Sequence, residues 1–200
     1  MQPARMKFAR TTPAIVASLV GDPFYRAITA DFIADDGSVA HTLGSYFEYS
    51  LAEAERTGRC VVADDPQLGA SAWLLPRSAE LEAIESAAKA SFLAATLGPR
   101  GNSNYRRIME FMSQHASVSV PSEAWYLSII GIAPVAQGQG IGARLLRPTL
   151  AEADAAGAVC YLETFSPRTV SFYERLGFRS VASHLEPCTG SPYVIMRRDG

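Results

Sequence analysis

Residues 125–178 read WYLSIIGIAPVAQGQGIGARLLRPTLAEADAAGAVCYLETFSPRTVSFYERLGF, and this stretch contains the pattern most informative about the fold. Its first eight residues, 125–132, are apolar and rich in aromatic and β-branched side chains, which predicts a buried strand. Pro134 lacks a backbone donor and ends that strand. A helical pattern of leucines follows, and residues 158–162 predict a second buried strand that leads to Glu163. The stretch therefore predicts a strand, a loop, a helix and a second strand.

The loop between these strands, residues 137–142, reads QGQGIG. Its three glycines at alternate positions allow the backbone to turn tightly and to come close to a ligand. The helix that follows begins with free N–H groups, which carry partial positive charge and suit a pyrophosphate. No Gly-Lys-Ser/Thr run is present, which excludes a Walker loop. The sequence therefore predicts a site for the phosphates of a nucleotide-containing cofactor.

A dinucleotide fingerprint is an alternative for the same loop. Gly138-x-Gly140-x-x-Ala143 fits the pattern G-x-G-x-x-G/A, and Glu163 lies about where the ribose-binding acid belongs. Against this alternative, residues 133–137 separate the strand from the first glycine, and few residues remain to continue a doubly wound sheet. A nicotinamide-dependent oxidoreductase is therefore the less favoured hypothesis.

A second motif follows the second strand, where residues 172–178 read FYERLGF. The loop pattern QxxGxG, followed at this distance by FYERLGF, resembles the GCN5-related N-acetyltransferase (GNAT) superfamily. Within that superfamily the chain is most similar to puromycin N-acetyltransferase and its relatives. The similarity extends to shorter pieces, which are AWYL at 124–127, RP at 147–148 and LET at 162–164. It is strong over residues 121–198 and weak before residue 60 and over 78–120.

The resemblance implies a single α/β N-acetyltransferase domain over residues 1–200, with a mixed central sheet flanked by helices. The two central strands would splay apart, and the pantetheine arm of acetyl-CoA, the expected cosubstrate, would lie in the splay. Residues 121–198 would form the acetyl-CoA-binding core. Residues 1–120 would supply the acceptor-side helices and the N-terminal strands.

The resemblance also implies which residues contact acetyl-CoA. Backbone groups of Ile130 and Ile132 would pair with the pantetheine amides, as an added strand does. A backbone N–H near Ile132 would donate to the acetyl oxygen. The loop residues expected to hold the pyrophosphate are Gln137, Gly138, Gln139, Gly140, Ile141, Gly142 and Ala143.

Acetyl transfer to an amine needs an acceptor for the amine proton and a donor for the leaving thiolate. Tyr173, in the late aromatic run, is expected to be the donor, because a phenol with a solution pKa of about 10 is protonated at neutral pH. Glu163 is expected to accept the amine proton with a pKa raised by desolvation, or else to orient the loop that follows it. Relatives often have Asn just before the aromatic run, and Thr169 stands in that region here.

The acceptor pocket is expected from the first half of the chain, where Tyr25, Tyr46 and Trp73 would form an aromatic wall. Aromatic residues at helical spacing also occur in cores, so a packing role is the alternative. The predicted function is transfer of an acetyl group to a primary amine of a small molecule, in a ternary complex. An aminonucleoside-type antibiotic is one candidate acceptor. A non-catalytic acyl-CoA-binding module, which would keep the loop and lack the chemistry, is the second hypothesis.

Composition limits the other functions. Two hundred residues fit one domain with a sizeable core, and a net charge of −2 gives no support for a nucleic-acid or anionic-membrane surface. The three cysteines and three histidines lack disulfide or metal-ligand spacing, so no metal is predicted. No apolar run approaches the roughly 18–20 residues of a membrane helix. The sequence therefore predicts a cytoplasmic protein, either a monomer or a homodimer.

The remaining elements are predicted from local patterns. Residues 6–10 are expected to form a first strand. Residues 98–103 are expected to form a loop before a helix at 104–115. Further helices are expected at 39–56 and 79–97, and further strands at 59–63, 68–75, 179–186 and 193–197.

Overall fold

The computed structural model describes residues 7–200 and shows helices packed on a mixed β-sheet. The α-helices of the described chain are α1 (Thr12–Leu19), α2 (Pro23–Ile28), α3 (Asp36–Thr57), α4 (Ala79–Thr96), α5 (Gly98–Ser119), α6 (Ile141–Ala156) and α7 (Val170–Glu174). The strands are β1 (Gly58–Val62), β2 (Gly69–Leu74), β3 (Trp125–Ile132), β4 (Cys160–Thr164), β5 (Arg179–Glu186) and β6 (Ser191–Arg198). They form one six-stranded sheet in the order β1-β2-β3-β4-β6-β5. The predicted α/β class is confirmed.

The two central strands, β3 and β4, are parallel, whereas the other neighbouring strands are antiparallel. They pair only between residues 125–127 and residues 160–162. Beyond these pairs both strands continue, but in the described chain they no longer pair with each other. The predicted splay of the central strands is therefore confirmed.

A β-bulge marks the point where the splay begins. Across β2, Ala72 faces Ile129 and Trp73 faces Leu127, so Ser128 is an extra residue of β3. Because a bulge bends its strand and increases its twist, β3 turns away from β4 here. The gap between the two strands follows from this one inserted residue.

The helices form two layers around the sheet. Side chains of α1 to α5, among them Ile15 and Phe47, pack in one apolar cluster with Ala72 of β2. The next residue of β2, Trp73, packs in a second cluster with Leu146 of α6. Because successive side chains of a strand point to opposite faces, α1 to α5 and α6 with α7 lie on opposite sides of the sheet.

The predicted first strand at 6–10 is wrong over its described part. Residues 7–10 form turns, and Met6 lies outside the described residues. The carbonyl of Phe8 accepts hydrogen bonds from the N–H groups of Thr11 and Thr12 at 2.8 and 2.9 Å. The N–H of Phe8 donates to the carboxylate of Glu48 at 2.9 Å. This segment therefore leads into α1 as a turn fixed to α3.

The predicted loop at 98–103 is also wrong, because α5 begins at Gly98. Pro99 occupies the first turn, where a missing N–H costs no helical hydrogen bond. Gly101 lies against α2, and a Cβ added there would come within 2.2 Å of the carbonyl oxygen of Ile28. Asp31 accepts a hydrogen bond from the N–H of Gly101 at 2.7 Å. The glycines of this segment thus allow close packing rather than a loop.

The other predicted elements are present as α3, α4, β1, β2, β5 and β6, with ends that differ by a few residues. Gly157 ends α6 with a φ of 60°, in the left-handed region that favours glycine at a helix end. A search of the described helices for a segment long and apolar enough to cross a membrane finds none.

Candidate active site

A cavity of about 990 Å³ lies where β3 and β4 separate. One end is lined by the glycine loop, the start of α6 and α7. The other end is lined by residues of α2, α3, α4 and α5. The cavity therefore joins the predicted acetyl-CoA core to the predicted acceptor-side helices.

The loop requires glycine at two positions. Gly138 and Gly140 have φ values of 77° and 75°, in the left-handed region that other residues avoid. Gly142 has no positive φ, but a Cβ there would lie 3.1 Å from Cζ of Phe172 in α7, which is a tight contact. Gln137 Nε2 donates to the carbonyl of Ile132 at 3.1 Å and so fixes the loop to the end of β3.

The start of α6 fits a pyrophosphate. Its N-cap, Gly140, offers no side-chain cap, so the N–H groups of the first turn have no partner within the helix. Gly140, Ile141, Gly142 and Ala143 all line the cavity. Unpaired N–H groups at the positive end of a helix of this length form an anion-binding site. Gln139 lies outside this lining, and its Nε2 donates to the carbonyl of Val135 at 3.1 Å.

The exposed edge of β3 fits the pantetheine arm. Ile130 and Ile132 pair with β2 through Ser71 and Gly69 on one side only. On the side of β4, the described chain offers these residues no strand partner. Both residues line the cavity, so backbone groups along this edge can pair with an extended ligand as a strand would.

Glu163 faces the cavity from the end of β4. Tyr193 of β6 donates its phenolic proton to Glu163 Oε1, and the phenol of Tyr126 on β3 lies close to the same carboxylate. Burial raises the pKa of Glu163 above its ordinary value, and the interactions with the two phenols oppose that rise. A desolvated carboxylate held in this way suits a proton acceptor.

Tyr173 lies in α7, lines the same cavity and is 8% exposed. Its ring contacts Phe172 and Phe178, with centroids at 5.0 and 6.1 Å. Burial, together with the nearby carboxylate of Asp22, raises the pKa of Tyr173 above its ordinary value. The phenol is therefore protonated at neutral pH and can act as a proton donor.

Two of the three aromatic residues expected around the acceptor lie at the cavity. Tyr25 and Tyr46 line it, with their ring centroids 5.9 Å apart. Trp73 is 0% exposed and packs with Leu127 and Leu146 on the other face of the sheet. The bulge opposite Trp73 sets this register. The wall role expected for Trp73 is therefore corrected to a role in the core.

Sequence analysis did not identify four residues of the site, which are two partners of Glu163 and two further residues of the cavity lining. Tyr126 and Tyr193 contact Glu163, while Asp22 and Lys89 line the cavity itself. Asp22 is the N-cap of α2, and its carboxylate accepts a hydrogen bond from the N–H of Phe24 at 2.9 Å. The hydroxyl of Thr169 donates to the carbonyl of Ser166 at 2.8 Å, within its own loop.

Comparison with known proteins agrees with this geometry. Residues 106–180 match the family model described as Acetyltransferase (GNAT) domain. A similar solved structure is histone acetyltransferase HPA2 and related acetyltransferase from Corynebacterium glutamicum, with 21% identity, 99% of this chain and 93% of that chain covered, and a TM-score of 0.64. Mosquito arylalkylamine N-acetyltransferase like 5b is 16% identical, with 98% and 97% covered and a TM-score of 0.56. Agmatine N-acetyltransferase is 17% identical, with 74% and 81% covered and a TM-score of 0.52.

At these identities the solved structures establish the fold. The matched domain contains β3, the glycine loop, α6, β4 and α7, which form the acetyl-CoA end of the cavity. The predictions of an N-acetyltransferase and of acetyl-CoA as the acetyl donor are confirmed at this level. Residues 106–180 thus match an acetyltransferase (GNAT) domain, of the kind that uses acetyl-CoA, and the chain has the fold of solved acetyltransferases.

Proposed function

We propose that the protein transfers an acetyl group from acetyl-CoA to a primary amine of a small molecule, directly and within a ternary complex. One observation carries this proposal. A single cavity is lined both by the glycine loop and by the two residues expected to move protons, Glu163 and Tyr173. Both substrates would therefore meet in one space, and holding them in line supplies much of the rate of such a reaction.

Acetyl-CoA would supply the acetyl thioester. The first-turn N–H groups of α6 would hold its pyrophosphate, and the edge of β3 would hold its pantetheine arm. A backbone N–H near Ile132 would donate to the acetyl oxygen as charge develops there. Residues 121–198 thus act as the acetyl-CoA-binding core in this proposal, and residues 1–120 as the acceptor side.

Glu163 is proposed as the general base. An amine in its ammonium form cannot attack, so a group in the cavity must take its proton. Burial raises the pKa of Glu163 toward the range in which a carboxylate accepts a proton effectively. Tyr193 orients the carboxylate and stabilises its charged form.

Tyr173 is proposed as the general acid. The leaving thiolate needs a proton, and the phenol can give it at the sulfur atom. The nearby carboxylate of Asp22 favours the protonated phenol before transfer. Tyr25 and Tyr46, which line the same cavity, are proposed to contact the body of the acceptor.

The acceptor class is proposed from the cavity and from the sequence. Phe24, Tyr25, Tyr46 and Tyr105 present aromatic surface, which suits an amine with an aromatic or apolar body. The similarity of residues 121–198 to puromycin N-acetyltransferase-like proteins makes an aminonucleoside-type antibiotic one acceptor to test. We further propose a cytoplasmic location, with a monomer or homodimer as the functional form.

The proposal is tested by a binding screen followed by an amine panel. Acetyl-CoA and CoA should raise the melting temperature, as ligands of the native state do, and NADH should not. Acetyl-CoA should then be consumed only when a primary amine is present. Binding of NADH without binding of CoA would contradict the proposal, and CoA binding without transfer to any amine would indicate a binding module.

A further inference from the structure

Lys89 is a cavity residue that the proposed transfer reaction does not use. It belongs to α4 and lines the cavity together with Tyr46 of α3 and Tyr105 of α5. Its side chain is only 18% exposed. A lysine is seldom this buried, because removing an ammonium from water is costly unless the charge is paired. A buried ammonium at this position therefore needs a nearby carboxylate.

The balancing carboxylate is shared with a second cation. Lys89 Nζ donates to Glu53 Oε2 at 2.9 Å, and Arg77 Nη2 donates to Glu53 Oε1 at 3.4 Å. Glu53 is 2% exposed, so solvent screens this cluster weakly. Arg77 is also paired with Glu82, whose side chain is 53% exposed. One buried carboxylate thus faces two cations, and Lys89 is the one that reaches the cavity.

Lys89 keeps donors for a ligand. An ammonium has three N–H donors, and Glu53 accepts one of them in the described chain. Burial lowers the pKa of Lys89, but the neighbouring Tyr105 and Glu53 outweigh this effect and raise it above its ordinary value. The side chain is therefore a charged donor at neutral pH.

The surroundings of Lys89 are aromatic. The ring of Phe24 contacts those of Tyr25 and Tyr105, with centroids at 5.1 and 6.0 Å. The rings of Tyr25 and Tyr46 are 5.9 Å apart. All four rings line the cavity, so a bound molecule would meet flat apolar surfaces with one ammonium among them.

Two carboxylates line the cavity besides the ammonium of Lys89. Glu163 and Asp22 both line the cavity, and Asp22 influences the ionisation of Tyr25 and Tyr173. A cationic amine is attracted to these carboxylates, whereas a negative group is repelled by them and attracted to Lys89. Arg168 and Arg175 also line the cavity, so its charges are mixed. Lys89 and Glu163 nevertheless have separate neighbours, which are Tyr105 and Glu53 for the ammonium and Tyr193 and Tyr126 for the carboxylate.

We propose that Lys89 is a specificity-determining residue and that the acceptor is an aromatic primary amine with a negatively charged oxygen group at the end remote from the amine. This inference rests on the proposed acetyl transfer and names its substrate class. The amine lies beside Glu163, the aromatic body lies against Tyr25 and Tyr46, and the negative group accepts from Lys89. Puromycin carries no negative group, so the inference separates the acceptor from that aminonucleoside.

The test uses matched probes that differ only in a carboxylate. These are 4-(aminomethyl)benzoate against benzylamine, and the longer 4-(2-aminoethyl)benzoate against phenethylamine. Binding is measured by calorimetry with CoA present, and acetyl transfer is measured separately. We expect at least one carboxylate probe to bind about 10-fold or more tightly than its neutral partner, as expected for charge-assisted hydrogen bonds. Lys89→Met should abolish this ratio, and Lys89→Arg should keep part of it.

Lys7, which pairs with Glu55 at the surface, gives the control. Lys7→Met should keep the ratio. If Lys89→Met leaves Glu53 so poorly compensated that folding fails, the double variant Glu53→Gln, Lys89→Met removes both buried charges and should also lose the ratio. No preference in either probe pair, or a preference that survives in the Lys89→Met protein or in the double variant, would overturn the inference. Preferential binding without acetyl transfer would instead support the role of Lys89 and contradict the proposed function.

Discussion

Tyr193 donates its phenolic proton to the carboxylate of Glu163 across the boundary between β6 and β4. Tyr193 is fully buried in the sheet, whereas Glu163 reaches the cavity. The bond therefore connects the core of the protein to the proposed general base. It stabilises the charged carboxylate, while burial of Glu163 has the opposite effect and prevails.

Removing this hydrogen bond should move the pH profile. In Tyr193→Phe the carboxylate loses a donor, so the pKa of Glu163 should rise further. The acidic limb of kcat/KM should then shift to higher pH, and the free energy of unfolding should fall by roughly 1 kcal/mol. Tyr161→Phe is the control, because Tyr161 lies on the same strand as Glu163 but does not line the cavity. Equal pH profiles for the two variants would show that Tyr193 does not tune Glu163.

Glu163→Gln tests the base itself. The amide keeps the shape of the side chain but cannot accept the amine proton. We expect kcat/KM at neutral pH to fall about 10²–10⁴-fold and the limb due to Glu163 to vanish. Acceptors of different amine pKa separate this limb from the ionisation of the amine, which follows the acceptor. An unchanged rate and profile would assign Glu163 to orienting the loop instead.

The same variant should show a stability effect of predictable sign. Because the folded-state pKa of Glu163 is raised above the ordinary value of 4.5, the folded chain binds this proton more tightly than the unfolded chain does. That stabilisation is fully present below the unfolded pKa and is lost as pH rises through the raised folded pKa. Relative to wild type, the free energy of unfolding of Glu163→Gln should therefore increase from about pH 4 toward neutral pH. Urea unfolding at several pH values measures this, and a difference independent of pH would contradict it.

The acetyl-CoA end of the site could be predicted because its information is local. The loop glycines, the strand before them and the helix after them lie within one stretch, and the φ values of Gly138 and Gly140 agree with the expected tight turn. The splay, in contrast, was expected only from the resemblance to the GNAT superfamily that this stretch carries. What local sequence does not contain is the register, because one inserted residue of β3, Ser128, places Leu127 opposite Trp73.

At the acceptor end only Tyr25 and Tyr46 were predicted, because the other members are distant in sequence. Glu163 and Tyr193 come together only through the pairing of β4 with β6. Asp22 and Lys89 reach one cavity through the packing of α2 and α4 around it. A lysine in an alanine-rich helix is usually solvated, so only the described contact with Glu53 shows that Lys89 is buried.

The glycine loop provides a test of cofactor binding. At Gly140 an added Cβ meets nothing within 4 Å, so Gly140→Ala acts through the backbone conformation alone. An alanine held at this positive φ costs roughly 1–2 kcal/mol, and the loop should shift to relieve it. The dissociation constant for acetyl-CoA should then rise about 10-fold.

Gly44 in α3 is the matched control, because a Cβ there also meets nothing within 4 Å and its φ is not positive. Gly44→Ala should leave acetyl-CoA affinity unchanged and raise the free energy of unfolding by roughly 0.5–1 kcal/mol. Unchanged acetyl-CoA affinity in Gly140→Ala would place the phosphates elsewhere.

We propose that the protein transfers the acetyl group within this cavity and that Tyr173 donates the proton to the leaving thiolate. Single-turnover transfer to a responsive amine, measured beside acetyl-CoA affinity in wild type and Tyr173→Phe, tests it most directly, because slow product release cannot hide the chemical step. We predict that transfer in the variant is about 10²–10⁴-fold slower while acetyl-CoA affinity changes little. Transfer at the full wild-type rate by Tyr173→Phe, or no transfer by wild type to any amine of the panel, would contradict the claim.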